Sequence, residues 1–221
     1  MLNESDSNAE VTRAVAVACG YAKPIYPVRF SEVRHLNKHL DGGVCRGWYG
    51  PHLDLVFRDW LKAVGRWEGR GAAFVVRDEL GGDVLSVHLH ELAHVLEETS
   101  RLATMTEADI ATEWSIEFNA DTITETSGTL PLPKLWTDHG TAFIRAACHI
   151  GARARALGLV FRTVDLGFAG PHYGLSWGWR YDMALGDETA EHSETPLRTV
   201  LDSDYPQAFR RLWWEDTGLH I

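Results

Sequence analysis

Leucine recurs at positions 85, 89, 92 and 96, and steps of three and four residues are the spacing of an amphipathic helix. One side of residues 84–98 would therefore pack in the core, with Asp83 as the N-cap. The same spacing predicts further helices at residues 31–40, 52–64, 107–124, 181–185 and 206–214, and a long one from Thr137 or Asp138 to about Leu157.

Short apolar runs framed by glycine or proline predict strands. The clearest is Ala72–Val76, which comes just before the helix at residues 84–98. Residues 44–49 and 159–164 have the same character. Pro24 and Pro27 favour an extended backbone between them, because proline restricts both itself and the residue before it.

The ends of the chain differ in composition from its middle. Residues 1–10 are polar and acidic, so we expect a disordered, frayed start. Residues 165–221 are rich in Trp and Gly, and we interpret them as a C-terminal extension of the same domain. With 221 residues, 45% of them hydrophobic, the chain is expected to form one domain.

The charge balance argues against nucleic acid as a partner. The formal net charge is −10 and the isoelectric point is near 5.5, whereas binding to phosphates depends on Lys and Arg. Residues 145–162 are locally basic through Arg145, Arg153, Arg155 and Arg162, and we interpret them as a solvated helix face.

Cysteine usage and hydropathy indicate a cytoplasmic protein. The three cysteines form no C-x-x-C pair and no even set, so a disulfide framework is not expected. No apolar run approaches the roughly 18 residues that a membrane helix needs, and no membrane partner is expected.

The predicted helix at residues 84–98 carries a zinc-hydrolase motif. His90, Glu91 and His94 spell H-E-x-x-H. On a helix, residues four apart lie on one face, so both imidazoles can bind one ion while Glu91 lies beside them as general base. A catalytic zinc ion usually has three protein ligands, so the third must come from elsewhere in the chain.

Two residues are candidates for the third ligand. His139 opens the predicted long helix, where Gly140 allows a close approach and Phe143 would pack inward one turn later. Asp138 could orient that histidine. Glu117 offers a carboxylate on the predicted helix at residues 107–124, as in thermolysin-like sites.

The motif H-E-L-A-H followed by H-G-x-x-F, here residues 139–143, resembles the SprT-like group of minimal zinc metallopeptidases. The resemblance covers about residues 72–150. It implies His90, His94 and His139 as ligands of one zinc ion per chain, and Glu91 as catalytic base. It also implies an α+β, zincin-like fold, with a small mixed sheet packed on the motif helix and a second long helix.

A second resemblance leads to another ligand set. Residues 117–121 resemble the E-x-x-A-[ND] element of ImmA/IrrE-like peptidases, which implies Glu117 as third ligand. We favour His139. The chain departs from the SprT-like pattern in having no C-terminal cysteine-rich zinc ribbon and in being acidic.

The expected function is zinc-dependent hydrolysis of peptide bonds in a protein or peptide, with Glu91 deprotonating a zinc-activated water. The strand Ala72–Val76 either offers an edge to an extended substrate or is paired on both sides within the sheet. The alternative function is a non-catalytic, zinc-stabilised binding module. Glu91 speaks against it, because a structural zinc site has no use for a general base.

Overall fold

The computed structural model describes residues 4–36, 47–49, 51–77, 84–102, 140–160, 176–186, 188–217 and 220–221. They form an α+β structure in which helices pack on a small mixed sheet. The strands are β1 (Ile25–Arg29), β2 (Gly47–Trp48) and β3 (Ala72–Val76). The helices are α1 (Glu4–Ala18), α2 (Phe30–Val33), α3 (Pro51–Ala63), α4 (Val84–Leu102), α5 (Thr141–Ala156), α6 (Ser176–Leu185), α7 (Leu197–Asp202) and α8 (Gln207–Thr217), with a 3₁₀ helix at Ala190–His192.

Strand β3 lies between the other two described strands. It pairs in parallel with β1, from Ile25 opposite Ala72 to Arg29 opposite Val76, and antiparallel with β2. All five of its residues are buried, which suits a continuous apolar run. The strand prediction for Ala72–Val76 is therefore confirmed. On the β2 side, Val75 and Val76 are the paired residues within the described part of the chain, so a substrate edge at residues 72–74 stays a prediction.

The pleat of the sheet divides the core into two layers. Ala72, Phe74 and Val76 face a large cluster that includes residues of α1, α4 and α5. Ala73 and Val75 point the other way and pack with Phe57 and Leu61 of α3. Alternate residues of a strand point to opposite faces, so one strand serves both layers.

The predicted packing of the two long helices is confirmed. On α4, Leu89, Leu92 and Leu96 are buried, and Leu85 is partly buried against the same cluster. On α5, Phe143, Ile144, Ala147 and Ile150 are buried. Residues 137–139, where we placed the start of this helix, lie outside the described residues.

A stripe of polar side chains at every fourth position of α5 binds the C-terminal part of the chain. Thr141 Oγ1 lies 2.9 Å from Tyr205 Oη, and Arg145 Nε donates to Glu191 Oε1 at 2.6 Å. His149 Nδ1 lies 2.8 Å from the Glu191 carbonyl oxygen. A carbonyl oxygen can only accept, so Nδ1 carries the hydrogen and donates this bond. Arg145 is fully buried, so the interpretation of this basic region as a solvated helix face is wrong there.

Several predicted boundaries differ from the structure. Helix α1 begins at Glu4, inside the predicted frayed start, and its second half buries Thr12, Val15 and Ala16. Helix α2 spans only Phe30–Val33 of the region around residues 31–40, of which 37–40 are not described. Residues 159 and 160 form no strand: the Leu159 amide bonds back to the Ala154 carbonyl at 3.1 Å and closes α5.

Candidate metal centre

Helix α4 places His90 and His94 side by side. The two residues are one helical turn apart, and their ring centroids are 5.0 Å apart with the planes inclined by 74°. Both rings are partly exposed, whereas the leucines on the other side of the helix are buried. The helix thus has one face for packing and one face that presents two imidazoles together.

The first turn of α5 lies against this histidine pair. The ring of Phe143, which is fully buried, has its centroid 5.2 Å from that of His90 and 4.3 Å from that of His94. The prediction that Phe143 packs inward is confirmed. His139 and Glu117, the two candidates for a third ligand, lie outside the described residues, and so does Asp138.

Glu91 is buried beneath strand β2. Only 3% of its surface is exposed. A Cβ built on Gly47 would lie 2.7 Å from Glu91 Cγ and 2.8 Å from Glu91 Cδ, closer than real Cβ contacts come. A Cβ at position 47 would therefore force the Glu91 side chain or the strand to shift. The sequence prediction missed this residue, although a glycine within a predicted strand is a signal of close backbone approach.

Burial also sets the charge of Glu91. Desolvation raises the pKa of this carboxyl from 4.5 to about 8, so without a nearby cation the protonated form predominates at neutral pH. No charged side chain of the described residues offsets that effect. A cation placed beside Glu91 would lower its pKa and restore the carboxylate.

The third histidine of α4 belongs to a different environment. His88 is buried and its Nδ1 lies 3.2 Å from Thr12 Oγ1 on α1. Its ring meets Phe74 of the sheet edge to face, at 5.9 Å between centroids. Burial, and secondarily Arg13, lowers the pKa of His88 to about 4. His88 thus does not join the pair formed by His90 and His94.

The donor set is suited to zinc but is incomplete within the described part of the chain. Two imidazoles one turn apart are typical zinc ligands, and a carboxylate between them is typical of catalytic sites. No group of three His, Cys, Asp or Glu residues that could hold a metal occurs among the described residues. The third ligand, His139 or Glu117, remains a prediction.

Comparison of the chain with protein-family models, with curated proteins and with solved structures gave no match. The resemblance to SprT-like peptidases therefore rests on the motifs alone. Among the described helices, none combines the length and the apolar character needed to cross a membrane.

Proposed function

We propose that this protein is a zinc-dependent metallopeptidase of zincin-like fold. His90 and His94 would hold the ion together with His139, and Glu91 would act as general base. The observation that carries the proposal is the burial of Glu91 beside two clustered imidazoles, with no compensating cation among the described residues. A buried carboxyl without a charged partner is unfavourable, and a bound cation would explain why it is kept there.

The chain's own residues have distinct parts in such a reaction. When bound, zinc would polarise the scissile carbonyl and lower the pKa of a water molecule. Glu91 accepts the proton of the attacking water and delivers it to the leaving nitrogen. Gly47 leaves room for the Glu91 carboxyl, and Phe143 packs on the imidazoles and restricts their movement.

The decisive experiment separates metal binding from proton transfer. Glu91→Gln should retain about one zinc per chain, because Glu91 is not a ligand, and should hydrolyse peptides about 10² to 10⁴ times more slowly. Zinc is measured by elemental analysis, and cleavage by mass spectrometry of a peptide library. Glu194→Gln is the matched control, because Glu194 is exposed and lies on the C-terminal segment.

Each outcome has a distinct meaning. Equal hydrolysis by the wild-type protein and Glu91→Gln would refute the mechanism. Zinc bound by the wild-type protein without any cleavage of the library would favour the zinc-stabilised binding module instead. Absence of zinc from the wild-type protein would overturn both.

A further inference from the structure

A cavity of about 320 Å³ lies on the side of α4 away from His90 and His94. His88 lines it, and residues two apart on a helix point about 200° apart, so His88 and His90 face nearly opposite directions. Val28 and Arg29 of β1 and Val76 of β3 line it as well. The cavity is thus at the carboxyl ends of two parallel strands, where ligands bind in many open α/β sheets.

The charged lining of this cavity is more basic than the protein as a whole. Three arginines and two glutamates line it, namely Arg13, Arg29, Arg66, Glu10 and Glu32. Both oxygens of Glu32 are engaged: Oε1 accepts from Arg66 at 2.9 Å and Oε2 accepts from the Arg29 backbone amide at 3.2 Å. A lining with an excess of positive charge favours an anion, although the chain carries a net charge of −10.

Arg13 is exposed and bonds to β1 through one of its nitrogens. Its Nε donates to the Ile25 carbonyl oxygen of β1 at 3.1 Å. Within the described part of the chain, its two Nη groups have no hydrogen-bond partner. A guanidinium anchored in this way can offer the two Nη groups to a carboxylate.

The hydrogen bonds of His88, which lines the same cavity, indicate its tautomer. The Thr12 hydroxyl donates its hydrogen to the Asn8 carbonyl at 2.7 Å, so Thr12 Oγ1 can only accept from His88 Nδ1. A neutral imidazole that is protonated at Nδ1 is an acceptor at Nε2. Nε2 is then the polar atom of the ring that remains for a ligand.

From this geometry we propose that the cavity binds a small 2-hydroxycarboxylate, whose carboxylate pairs with Arg13 and whose hydroxyl donates to His88 Nε2. The volume is at the low end of ligand pockets, which run from about 300 to 1,000 Å³, so it suits a small metabolite. The site is separate from the candidate metal centre and does not depend on the proposed peptidase activity.

The test uses calorimetric titration of the full chain at about pH 8, where an imidazole of ordinary pKa is neutral. Lactate and propionate are the matched probes, since they differ only in the hydroxyl group. We expect lactate to bind with a Kd on the order of 1 mM, and propionate to bind about tenfold more weakly, because it leaves the buried acceptor unpaired. Equal affinities for the two acids, or no saturable binding of lactate, would overturn the proposal.

Variants of Arg13 and His88 test which residue binds the carboxylate of the ligand and which binds its hydroxyl. Arg13→Gln should abolish lactate binding, and His88→Asn, which keeps a donor for Thr12, should reduce lactate to the affinity of propionate. The exposed Arg198, on α7, supplies the control Arg198→Gln, which should bind lactate normally. Circular dichroism establishes that each variant is folded. Lactate binding that survives Arg13→Gln in a folded protein would refute the assignment.

Discussion

At the scale of single residues, Gly47 limits where the Glu91 carboxyl can lie. Real Cβ atoms almost never approach another atom within 3.0 Å, and a Cβ at position 47 would meet Glu91 Cγ at 2.7 Å. Glu91 is too deeply buried to swing into solvent without moving the strand above it. The contact between β2 and α4 thus determines the position of the proposed base.

We therefore predict that Gly47→Ala lowers kcat about 10²-fold while zinc content is unchanged, because a displacement of about 1 Å in a catalytic group has effects of that size. Gly65→Ala is the control: Gly65 has a positive φ of 71° but nothing within 4 Å of an added Cβ, so it should lose stability without losing kcat. Steady-state kinetics and elemental analysis measure the two effects. A wild-type kcat in Gly47→Ala would show that Gly47 does not position Glu91.

At the scale of secondary-structure elements, α5 connects the histidine pair to the C-terminal part of the chain. One side of it presents Phe143 to His90 and His94, and another side binds Glu191 and Ser203 through Arg145. Breaking a buried ion pair by removing one partner is strongly destabilising. The polar stripe of α5 therefore stabilises the helix that packs on the candidate metal centre.

His149 in that stripe makes stability depend on pH. Burial lowers its pKa to about 4. The hydrogen bond to the Glu191 carbonyl acts in the opposite direction, and the charge of Arg153 lowers the pKa further. In the unfolded chain the pKa of this imidazole is about 6.5, so between pH 4 and 6.5 the unfolded chain binds more protons than the folded protein. The contribution of neutral His149 to the free energy of unfolding is complete above about pH 6.5 and is lost as the pH falls toward 4.

We predict that lowering the pH from 7 to 5 costs the wild-type protein about 2 kcal/mol more free energy of unfolding than it costs His149→Gln. Urea denaturation at the two pH values measures this difference. Other groups, including His88 and Glu91, titrate in both proteins and cancel in the comparison. Equal losses in the two proteins would show that His149 is not held neutral.

At the scale of the whole molecule, the third ligand of the proposed zinc site would come from a segment distant from α4 in the chain. If His139 is the third ligand, His139→Ala should remove zinc as thoroughly as His94→Ala, because each variant loses one of three protein ligands. Glu117→Ala should then retain zinc. Metal content is measured after dialysis against a weak chelator, with circular dichroism as the check on folding.

The reverse result would assign Glu117 and favour the ImmA/IrrE-like arrangement. Zinc retained by both variants would contradict both assignments. We expect His139 to be the third ligand. Gly140 and Phe143 follow it closely in the chain and lie at the start of α5, and Phe143 packs on the histidine pair.

The sequence by itself determined the features that depend on local periodicity. A repeat of 3.6 residues predicted α4, its buried leucines and the pairing of His90 with His94 on one face. An apolar run between glycines predicted β3 at its observed bounds. These features follow from side-chain spacing along one element, so the sequence contains the necessary information.

Only the tertiary structure decided which residues approach each other from distant parts of the chain. It placed β3 between two strands, Gly47 against Glu91, and Arg145 in a buried pair with Glu191, 46 positions away. It also placed His88 and Arg13 on one cavity. Such contacts depend on how whole elements pack and exclude water, and no spacing within a single element encodes that packing.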